Sequence, residues 1–400
     1  MASRAPNDWR PQRRPSLGFP SAETFAPNAR LAIQLGPIYH AAMNFADHLP
    51  SIHPAKAYAA EPRLHVAVGI LARNEETRIP QLLAQLARQT FLRTAKVDIH
   101  VVPNACTDAT NRVSLEALSA FPSGLARKTE VHETSVGGKS RNWNFFVHSL
   151  SDQGCDLIMM MDADIELADD GVLADLVATL VATPTAAVCT GRPIKSIALK
   201  ARKSFLDKFS LAVSEQALAH PSINGSLYVA WADELRTFWL PEPTPGEDGF
   251  LNAVVKTRGF TSEEASRVCR IARVSHFYDG VRVSHYFRHQ KRMILGTAVN
   301  FWLFEYIRAH PEERPVGEMI KYKNRQQPGW VGKIVKSKTM NKRWVVPRRV
   351  LLWHFDDVAF PISIKSAVKF ATATIAATLN LVACVLANRS LQREGSESYW

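Results

Sequence analysis

Residues 155–164 read CDLIMMMDAD, an apolar run that ends in two carboxylates. Leu157 to Met161 are continuously apolar, which is typical of a strand buried on both faces of a parallel sheet. Alternate residues of a strand share a face, so this interpretation places Asp162 and Asp164 side by side. Adjacent carboxylates repel each other unless a cation such as Mg²⁺ or Mn²⁺ lies between them. The stretch therefore predicts a strand that ends in a metal and diphosphate site, with a capping or solubilising pair as the alternative.

The chain before this stretch alternates between apolar runs and helical patterns. Strands are predicted at 64–72, 97–103 and about 129–132. Helices follow the first two strands, and a Gly-Gly-Lys turn with a helix through Leu150 follows the third. Buried strands that alternate with such helices indicate a mostly parallel sheet with helices on both faces. The predicted fold is therefore an α/β doubly wound domain.

Polar segments follow three of the predicted strands. They read ARNEE from residue 72, PNACTDAT from residue 103 and DADIE from residue 162. Ligands of open α/β sheets bind in the crevice outside the carboxyl ends of the strands. We therefore expect these segments to form one site, with Asp108 capping the start of a helix.

The Gly-Gly-Lys turn lies within SVGGKSRNWN, which begins at residue 135 and looks like the end of a phosphate-binding P-loop. That loop requires a glycine five residues before its second glycine, because the backbone turns back there. Glu133 occupies that position, so the P-loop motif is absent.

Five segments, in this order, resemble family 2 glycosyltransferases of the GT-A fold. They are VAVGILARNEE from residue 66, VVPNACTDAT from 101, GGKSRNWN from 137, MMMDADIE from 159 and GEDGFL from 246. The resemblance covers roughly residues 64–300. It implies inverting transfer of a sugar from a nucleotide-diphosphate sugar to a sugar or lipid-linked acceptor, with Mg²⁺ or Mn²⁺ as cofactor.

The resemblance assigns donor-binding roles to residues that follow the predicted strands. It implies that four residues after the first strand line the nucleotide pocket, namely Ala72, Arg73, Asn74 and Glu75. Glu75 could instead be an acidic residue favoured at a helix N-terminus. Pro103 and Asn104 stand where the family has paired acidic positions, so the base stays open, with uridine favoured over guanosine. Lys139 and Arg141 match a basic position near the diphosphate, with a surface helix start as the alternative.

Metal-binding and catalytic roles follow from the same resemblance. Asp164 is implied as the main metal ligand, and Asp162 as a contact to ribose or metal. Inverting transfer needs a carboxylate that takes the proton of the acceptor hydroxyl. The resemblance places this base at Glu247 or Asp248, with Asp248 favoured and a loop-capping role as the alternative. Gly225 matches an acceptor-side glycine where a side chain would block the sugar, unless it serves as a turn glycine.

The basic and aromatic stretch VRVSHYFRHQKRM begins at residue 281. It does not reproduce the Gln-x-x-Arg-Trp element of some relatives, which argues against a processive polysaccharide synthase. Arg288 or Arg292 is expected to close over the diphosphate. Three histidines are candidates for a further metal ligand, although ordinary packing is favoured for each: His276, His285 and His289.

The predicted domain organisation has four parts. They are a disordered arm (1–28), a helical segment (29–60), a GT-A domain (61–305) and a basic, helical, membrane-associated region (306–400). Within the GT-A domain, the donor half is expected at about 64–190 and the acceptor half at about 191–305.

The charge of the chain is concentrated in residues 308–349. This segment has twelve basic and three acidic residues, which gives +9 of the chain's net +12. Such a segment is typical of binding to anionic lipid, nucleic acid or a phosphorylated ligand, with a solvated basic loop as the alternative. Because carboxylates in the crevice would repel a nucleic-acid backbone, no nucleic-acid partner is expected.

Residues 370–388 are uncharged and just long enough to span a bilayer. They are only weakly apolar, so a helix packed on the catalytic domain or lying in the interface is favoured over a span. Together with the basic segment, they predict a protein at the anionic cytoplasmic face of the membrane, peripheral rather than spanning.

Five scattered cysteines without a CxxC pair fit a reduced compartment. The N-terminus has no apolar core of a secretory signal, so export is not expected. Two other functions remain open from the residues alone, a nucleotidyltransferase acting on a sugar phosphate and a non-catalytic basic membrane-binding module.

Overall fold

The computed structural model describes residues 63–216, 218, 220–280, 286–310, 315–352 and 364–394. The predicted arm (1–28), the predicted N-terminal helical segment (29–60) and His285 lie outside the described residues.

Ten strands and twelve α-helices make up the described part of the chain. The strands are β1 (His65–Ala72), β2 (Lys96–Pro103), β3 (Lys128–Val131), β4 (Leu157–Asp162), β5 (Ile165–Leu167), β6 (Val188–Thr190), β7 (Pro193–Lys195), β8 (Leu227–Trp231), β9 (Val268–Arg270) and β10 (His276–Tyr278). The helices are α1 (Ile79–Arg88), α2 (Thr110–Ser119), α3 (Lys139–Phe145), α4 (Val172–Val181), α5 (Phe205–Gln216), α6 (Ala232–Arg236), α7 (Glu247–Lys256), α8 (Tyr286–Ala309), α9 (Val316–Gln326), α10 (Trp330–Thr339), α11 (Arg348–Leu352) and α12 (Ile364–Glu394).

The central sheet has seven strands in the order β3-β2-β1-β4-β8-β6-β9. The first four strands are parallel, whereas β8 runs antiparallel to both β4 and β6. A separate sheet of three short strands has the order β5-β10-β7. The prediction of a mostly parallel α/β sheet is confirmed.

The strand register aligns the carboxyl ends of β1, β2 and β4. Ala72 lies opposite Pro103, and Leu71 lies opposite Asp162. The polar segments that follow these strands therefore start at the same edge of the sheet, as the sequence predicts.

Alternate side chains of each central strand enter two different cores. Val68 and Met159 pack on the face covered by α1 and α4, whereas Ala67 and Met160 pack on the face covered by α3, α7 and α8. This alternation follows from the two-residue period of a strand. Helices cover both faces, as predicted, and Asp162 shares the face of Met160.

The end of β4 differs from the prediction. The strand stops at Asp162, and Ala163 and Asp164 form a turn into β5. The prediction that Asp162 and Asp164 share one strand face is therefore wrong. The cause is tertiary, because β5 pairs with the distant strand β10 and leaves the plane of the central sheet.

The C-terminal helices share a core with the helices that cover the central sheet. Trp302, Trp330 and Cys384 belong to the same buried cluster as Phe250 of α7. The predicted boundary between residues 305 and 306 falls inside α8.

The uncharged stretch at 370–388 lies inside α12. Ala383, Cys384 and Ala387 of this helix are buried, and the buried Asn380 donates to the Val350 carbonyl at 2.9 Å. Within the described ranges, no helix combines the length and the apolar character needed to cross a membrane.

Candidate active site

The Lys139 amine lies between two carboxylates. Its Nζ is 2.8 Å from Asp162 Oδ1 and 3.3 Å from Glu247 Oε1. These residues are the first of α3, the last of β4 and the first of α7. Burial disfavours the charge on Lys139, but the two carboxylates outweigh it and raise the pKa of Lys139 above its ordinary value. Lys139 is therefore a protonated link between the end of β4 and the start of α7.

Negative charge exceeds positive charge around this lysine. Burial raises the pKa of Glu247 even though Lys139 opposes it, and the charge of the adjacent Asp248 raises it further. Burial raises the pKa of Asp162 in the same way, with a further contribution from Asp164. One lysine therefore does not neutralise these four carboxylates, and the site favours an additional cation.

A cleft opens beside Lys139, and its volume of about 300 Å³ includes open solvent. Its polar lining is Lys139, Asp162, Glu247 and Asp248, and the remainder is Leu71, Trp143, Met160, Met161, Gly225, Tyr228, Leu240 and Leu251. The structure thus brings together in one cavity both candidates for the general base (Glu247 and Asp248), the predicted cation (Lys139) and one predicted metal-site carboxylate (Asp162).

The cavity wall also contains two aromatic residues that the sequence analysis missed. Trp143 Nε1 donates to Tyr228 Oη at 2.5 Å, and both side chains are buried. Trp143 follows Lys139 by four residues, and residues with this spacing share one face of a helix. That spacing was the available signal, whereas the position of Tyr228 depends on the antiparallel pairing of β8 with β4.

Gly225 lies close to the side chains of Lys139 and Asp248. A Cβ atom at this position would be 3.2 Å from Lys139 Nζ and 3.4 Å from Asp248 Cβ. Its φ angle is not positive, so the backbone conformation does not require glycine. Gly225 lies in the turn that precedes β8, and the nearest atom to such a Cβ is the mobile end of a lysine, so neither interpretation of this glycine is decided.

Asp248 lies in the first turn of α7, where a negative charge is favoured by the helix dipole. Its Oδ1 accepts a hydrogen bond from the Gly249 N–H at 2.7 Å. The side chain also lines the cavity, so both the capping and the catalytic interpretations fit its position.

The start of α7 rests on α8 through a contact between two glycines. A Cβ atom on Gly246 would be 3.1 Å from Gly296 Cα and 2.7 Å from Asn300 Nδ2. Asn300 Nδ2 also donates to the Gly246 carbonyl at 2.7 Å. Gly296 and Asn300 could not be predicted from the sequence, because no local pattern marks a contact between distant segments.

The loops after β1 and β2 are tied together by hydrogen bonds. Asn74 has a left-handed φ of 57°, and its Oδ1 accepts from the Thr107 N–H at 2.8 Å. The Glu75 N–H donates to Thr110 Oγ1 at 2.7 Å. Asp108 Oδ1 accepts from the Thr110 N–H at 3.0 Å, although the structure makes Ala109 the cap residue.

Asn104 holds the Gly-Gly-Lys turn through a hydrogen bond. It is 4% exposed, and its Oδ1 accepts from the Gly138 N–H at 3.0 Å. The exposed Arg73 flanks the same turn, since a Cβ atom on Gly137 would be 3.7 Å from Arg73 Nη1. The side chain of Ala72 faces the buried core, so this residue reaches the edge only through its backbone.

Asp164 and Glu75 are acidic residues at the edge where β1, β2 and β4 end. Asp164 is exposed, and among the described residues it has neither an ion-pair partner nor a hydrogen-bond partner. Burial, followed by the negative charge of Asp164, raises the pKa of Glu75 from 4.5 to about 7. Excess negative charge from oxygen ligands fits a hard divalent cation.

None of the four predicted arginines, Arg73 included, lines the cavity. Arg141 is exposed, and its Nε is 3.3 Å from Glu242 Oε2. Arg288 and Arg292 are exposed at the start of α8 and do not line the cavity. The charge of Arg292 nevertheless lowers the pKa of Glu247, in opposition to burial, which places it near the site.

His276 is a packed residue in this structure. Its Nε2 lies 2.8 Å from Ser226 Oγ and its Nδ1 lies 2.7 Å from Ser275 Oγ, so both ring nitrogens are occupied. Burial lowers the pKa of His276 to about 3, which keeps the ring neutral. His289 is half-buried on α8, and burial lowers its pKa as well.

Comparison with known proteins agrees with the fold and the sequence motifs. The family model described as glycosyl transferase family 2 matches residues 67–224, from β1 to just before β8. This match confirms the resemblance on which the prediction of a glycosyltransferase rests. No curated protein sequence matches the chain.

Several solved structures are similar to the chain. A mannosyltransferase from Pyrobaculum calidifontis, solved with GDP-mannose and Mn²⁺, is 17% identical with a TM-score of 0.50, over 84% of this chain and 92% of that one. Glucosyl-3-phosphoglycerate synthase from Mycobacterium tuberculosis is 14% identical with a TM-score of 0.42, over 63% and 83%. Mannosyl-3-phosphoglycerate synthase from Rubrobacter xylanophilus is 12% identical with a TM-score of 0.43, over 63% and 76%. The first likeness confirms the GT-A fold.

Proposed function

We propose that this chain, whose residues 67–224 match glycosyl transferase family 2, is an inverting glycosyltransferase. It would move a sugar from a nucleotide-diphosphate sugar to a hydroxyl of a glycan or lipid-linked acceptor. The observation that carries the proposal is the cavity in which Lys139 joins Asp162 to Glu247, directly beside Asp248. A nucleotidyltransferase would not need a carboxylate pair opposite the donor edge.

The donor would bind at the edge formed by the ends of β1, β2 and β4, in the donor half at about 64–190. Asp164, with Asp162 contacting ribose or metal, would hold Mg²⁺ or Mn²⁺, which offsets the diphosphate charge as the nucleotide leaves. The exposed position of Asp164 and the raised pKa of Glu75 support this role. Arg73, Asn74 and the loop held by Asn104 would contact the nucleotide.

The acceptor would approach from the side of α7, in the half at about 191–305. Asp248 would take the proton of the acceptor hydroxyl. The oxygen of that hydroxyl would attack the anomeric carbon from the face opposite the diphosphate. The bond from that carbon to the diphosphate oxygen breaks, and the configuration inverts. Lys139 would orient Asp162 and Glu247, and the missing side chain of Gly225 leaves room for the acceptor.

The test is a donor screen with the full chain. UDP-sugars and GDP-sugars are incubated with Mn²⁺, and released nucleoside diphosphate is measured with and without added glycan acceptors. We expect one base and one sugar to be preferred, and Asp164→Asn to lose the release while circular dichroism stays unchanged. Pyrophosphate release from a nucleoside triphosphate, or no release from any donor, would overturn the proposal.

Attachment to an anionic cytoplasmic membrane face is a separate part of the proposal. Met340 and Trp344 are 62% and 37% exposed, and they alternate with exposed basic residues, namely Lys336, Lys342 and Arg343. Leu381 and Leu386 of α12 are exposed as well. Exposed apolar side chains between cations are typical of proteins that bind the lipid interface.

The membrane proposal is tested by sedimentation with vesicles. We expect binding to vesicles that contain phosphatidylglycerol and much weaker binding to pure phosphatidylcholine. The Lys336→Glu/Lys342→Glu double variant should lose about 1 kcal/mol of binding free energy for each basic residue removed. Equal binding to both vesicle types would contradict the proposal.

A further inference from the structure

A second group of ligating atoms lies at the β2 and β3 edge of the central sheet. His132 Nε2 is 3.2 Å from His100 Nδ1 and 2.9 Å from Glu130 Oε2. Glu130 Oε2 is in turn 3.5 Å from His100 Nδ1. Three ligand atoms from three side chains therefore converge on one point outside the proposed catalytic cavity.

The strand register delivers these side chains to one another. His100 of β2 lies opposite Glu130 of the edge strand β3. His132 follows Glu130 by two residues, and side chains with this spacing share a face of an extended chain. The convergence therefore follows from the pairing of β2 with β3 and does not depend on a flexible loop.

His132 Nε2 faces both partners, and in a neutral ring it is either a donor or an acceptor. As a donor it has to share one proton between Glu130 Oε2 and the lone pair of His100 Nδ1, and as an acceptor from His100 it turns a lone pair toward Glu130 Oε2. Lys128 Nζ holds Glu130 Oε1 at 2.9 Å, which keeps the carboxylate charged and directs Oε2 at the imidazoles.

We propose that His100, Glu130 and His132 form a binding site for a divalent transition metal ion, for which Zn²⁺ is the best match. Zinc binds imidazole nitrogen and carboxylate oxygen at about 2.0–2.2 Å, so tetrahedral geometry separates its ligand atoms by about 3.3–3.5 Å. The observed separations of 2.9, 3.2 and 3.5 Å are close to these values. Imidazole also favours zinc over magnesium and manganese, which sets this site apart from the donor edge.

The surroundings suit a bound ion that is open to solvent on one side. His100 is 1% exposed and lies against Phe146, with 5.6 Å between the ring centroids. The side chains of His132 and Glu130 are 25% and 34% exposed, which leaves a fourth position for water. Among the described residues, His100 Nε2 has no hydrogen-bond partner, so a metal on Nδ1 would leave the Nε2 proton without a protein acceptor.

A metal at this site would fix the edge strand that leads to Lys139. Thr134, two residues beyond His132, pairs through its backbone with Pro103 and accepts from Asn142 Nδ2 at 3.0 Å. The ion would thus stabilise the segment between β3 and the Gly-Gly-Lys turn. This inference does not depend on the proposed function.

The experiment is a Zn²⁺ titration of the full chain after removal of metal with a chelator, without nucleotide. We expect calorimetry to detect one Zn²⁺ ion that is lost in the variants Glu130→Gln and His132→Asn. The affinity should fall more than about 100-fold, because loss of an outer-shell partner alone costs up to about that factor. Zn²⁺ should also raise the melting temperature of the unaltered chain more than that of either variant.

Controls separate this site from others on the chain. His310→Asn removes an exposed histidine elsewhere, and Asp164→Asn alters the donor edge, so both variants should retain the zinc affinity. Circular dichroism checks that the two ligand variants fold, and Co²⁺ in place of Zn²⁺ should give the visible bands of a tetrahedral site only in the unaltered chain and the controls. The absence of Zn²⁺ binding by the unaltered chain, or unchanged affinity in both ligand variants, overturns the proposal.

Discussion

Different interactions build the proposed donor edge, at the carboxyl ends of β1, β2 and β4, and the proposed acceptor side of the cavity, at the start of α7. At the donor edge, the register of adjacent parallel strands aligns Ala72, Pro103 and Asp162. On the acceptor side, the start of α7 is held by α8, through the close approach of Gly246 to Gly296. The first arrangement depends on regular strand pairing, and the second depends on one contact between distant segments.

Because of this difference, substitutions in the two regions should affect different properties of the protein. The donor edge carries exposed or half-buried carboxylates, so a substitution there changes charge and ligand binding more than folding. The acceptor side rests on tightly packed backbone, so a substitution in its support changes stability and geometry. Four predictions test this contrast, and they follow in order of decreasing effect.

The largest effect on the transfer rate is expected from two single variants, Asp248→Asn and Asp164→Asn. Asp248→Asn should lower the transfer rate by about 10²–10⁴-fold, because it removes the proposed base. It should leave donor binding in the presence of Mn²⁺ unchanged, whereas Asp164→Asn should lose both transfer and binding. Transfer kinetics and calorimetry measure the two properties. Full donor affinity in Asp164→Asn, or full turnover in Asp248→Asn, would argue that the two sides are misassigned.

The next effect concerns the lysine that joins the two sides. Lys139→Met should destabilise the fold by about 2–4 kcal/mol, because it leaves the carboxylates of Asp162 and Glu247 without their cation. Urea unfolding measures the change. The Lys139→Met/Glu247→Gln double variant should recover part of the loss, since it removes one unpaired charge. A single variant as stable as the unaltered chain would show that Lys139 does not join the two sides.

A smaller effect is expected at the contact between α7 and α8. In Gly296→Ala, the new Cβ would lie 3.1 Å from both Gly246 Cα and the Pro245 carbonyl oxygen. Overpacking of this kind costs about 1–3 kcal/mol, partly offset by the better helix propensity of alanine. The transfer rate should fall while donor affinity stays constant, and Gly296→Val should be worse in both stability and rate. A drop in donor affinity with an unchanged rate would break the proposed division of roles.

The smallest effect is a pH dependence at the donor edge. The pKa of Glu75 is about 7 in the folded chain and 4.5 ordinarily, so its contribution to stability is present below about pH 4.5 and is lost as the pH rises through about 7. In metal-free buffer, Glu75→Gln and the unaltered chain should therefore have the same free energy of unfolding near pH 4.5. At pH 8 the free energy of unfolding of the variant should be about 1 kcal/mol higher, a value reduced for the partial exposure of Glu75. If the unfolding free energies of the variant and the unaltered chain differ by the same amount at both pH values, the ionisation of Glu75 does not affect stability.

Much of the fold and part of the site could be predicted from sequence patterns. The apolar run at Leu157–Met161 predicted a buried strand, and the polar segments after the strands predicted one shared edge. Lys139, Asp162, Glu247 and Asp248 were named from motifs, and all line one cavity.

The remaining features required information that no local pattern contains. Asp164 leaves the strand because β5 pairs with β10, and strand length depends on the partner as well as on the strand itself. Tyr228 reaches Trp143 only through the pairing of β8 with β4. His100 and Glu130 meet because of the β2 and β3 register, which histidine spacing does not reveal.

Local sequence patterns suffice to predict the alternation of strands and helices, the mostly parallel sheet and the chemistry at the strand ends. The physical reason is that burial periodicity and turn residues act over a few neighbouring positions. The tertiary structure alone decided that Lys139 bridges Asp162 and Glu247, that α8 supports the start of α7, and that two histidines and a glutamate converge at the sheet edge. Those contacts join segments that are distant in the chain, so they depend on strand register and helix packing.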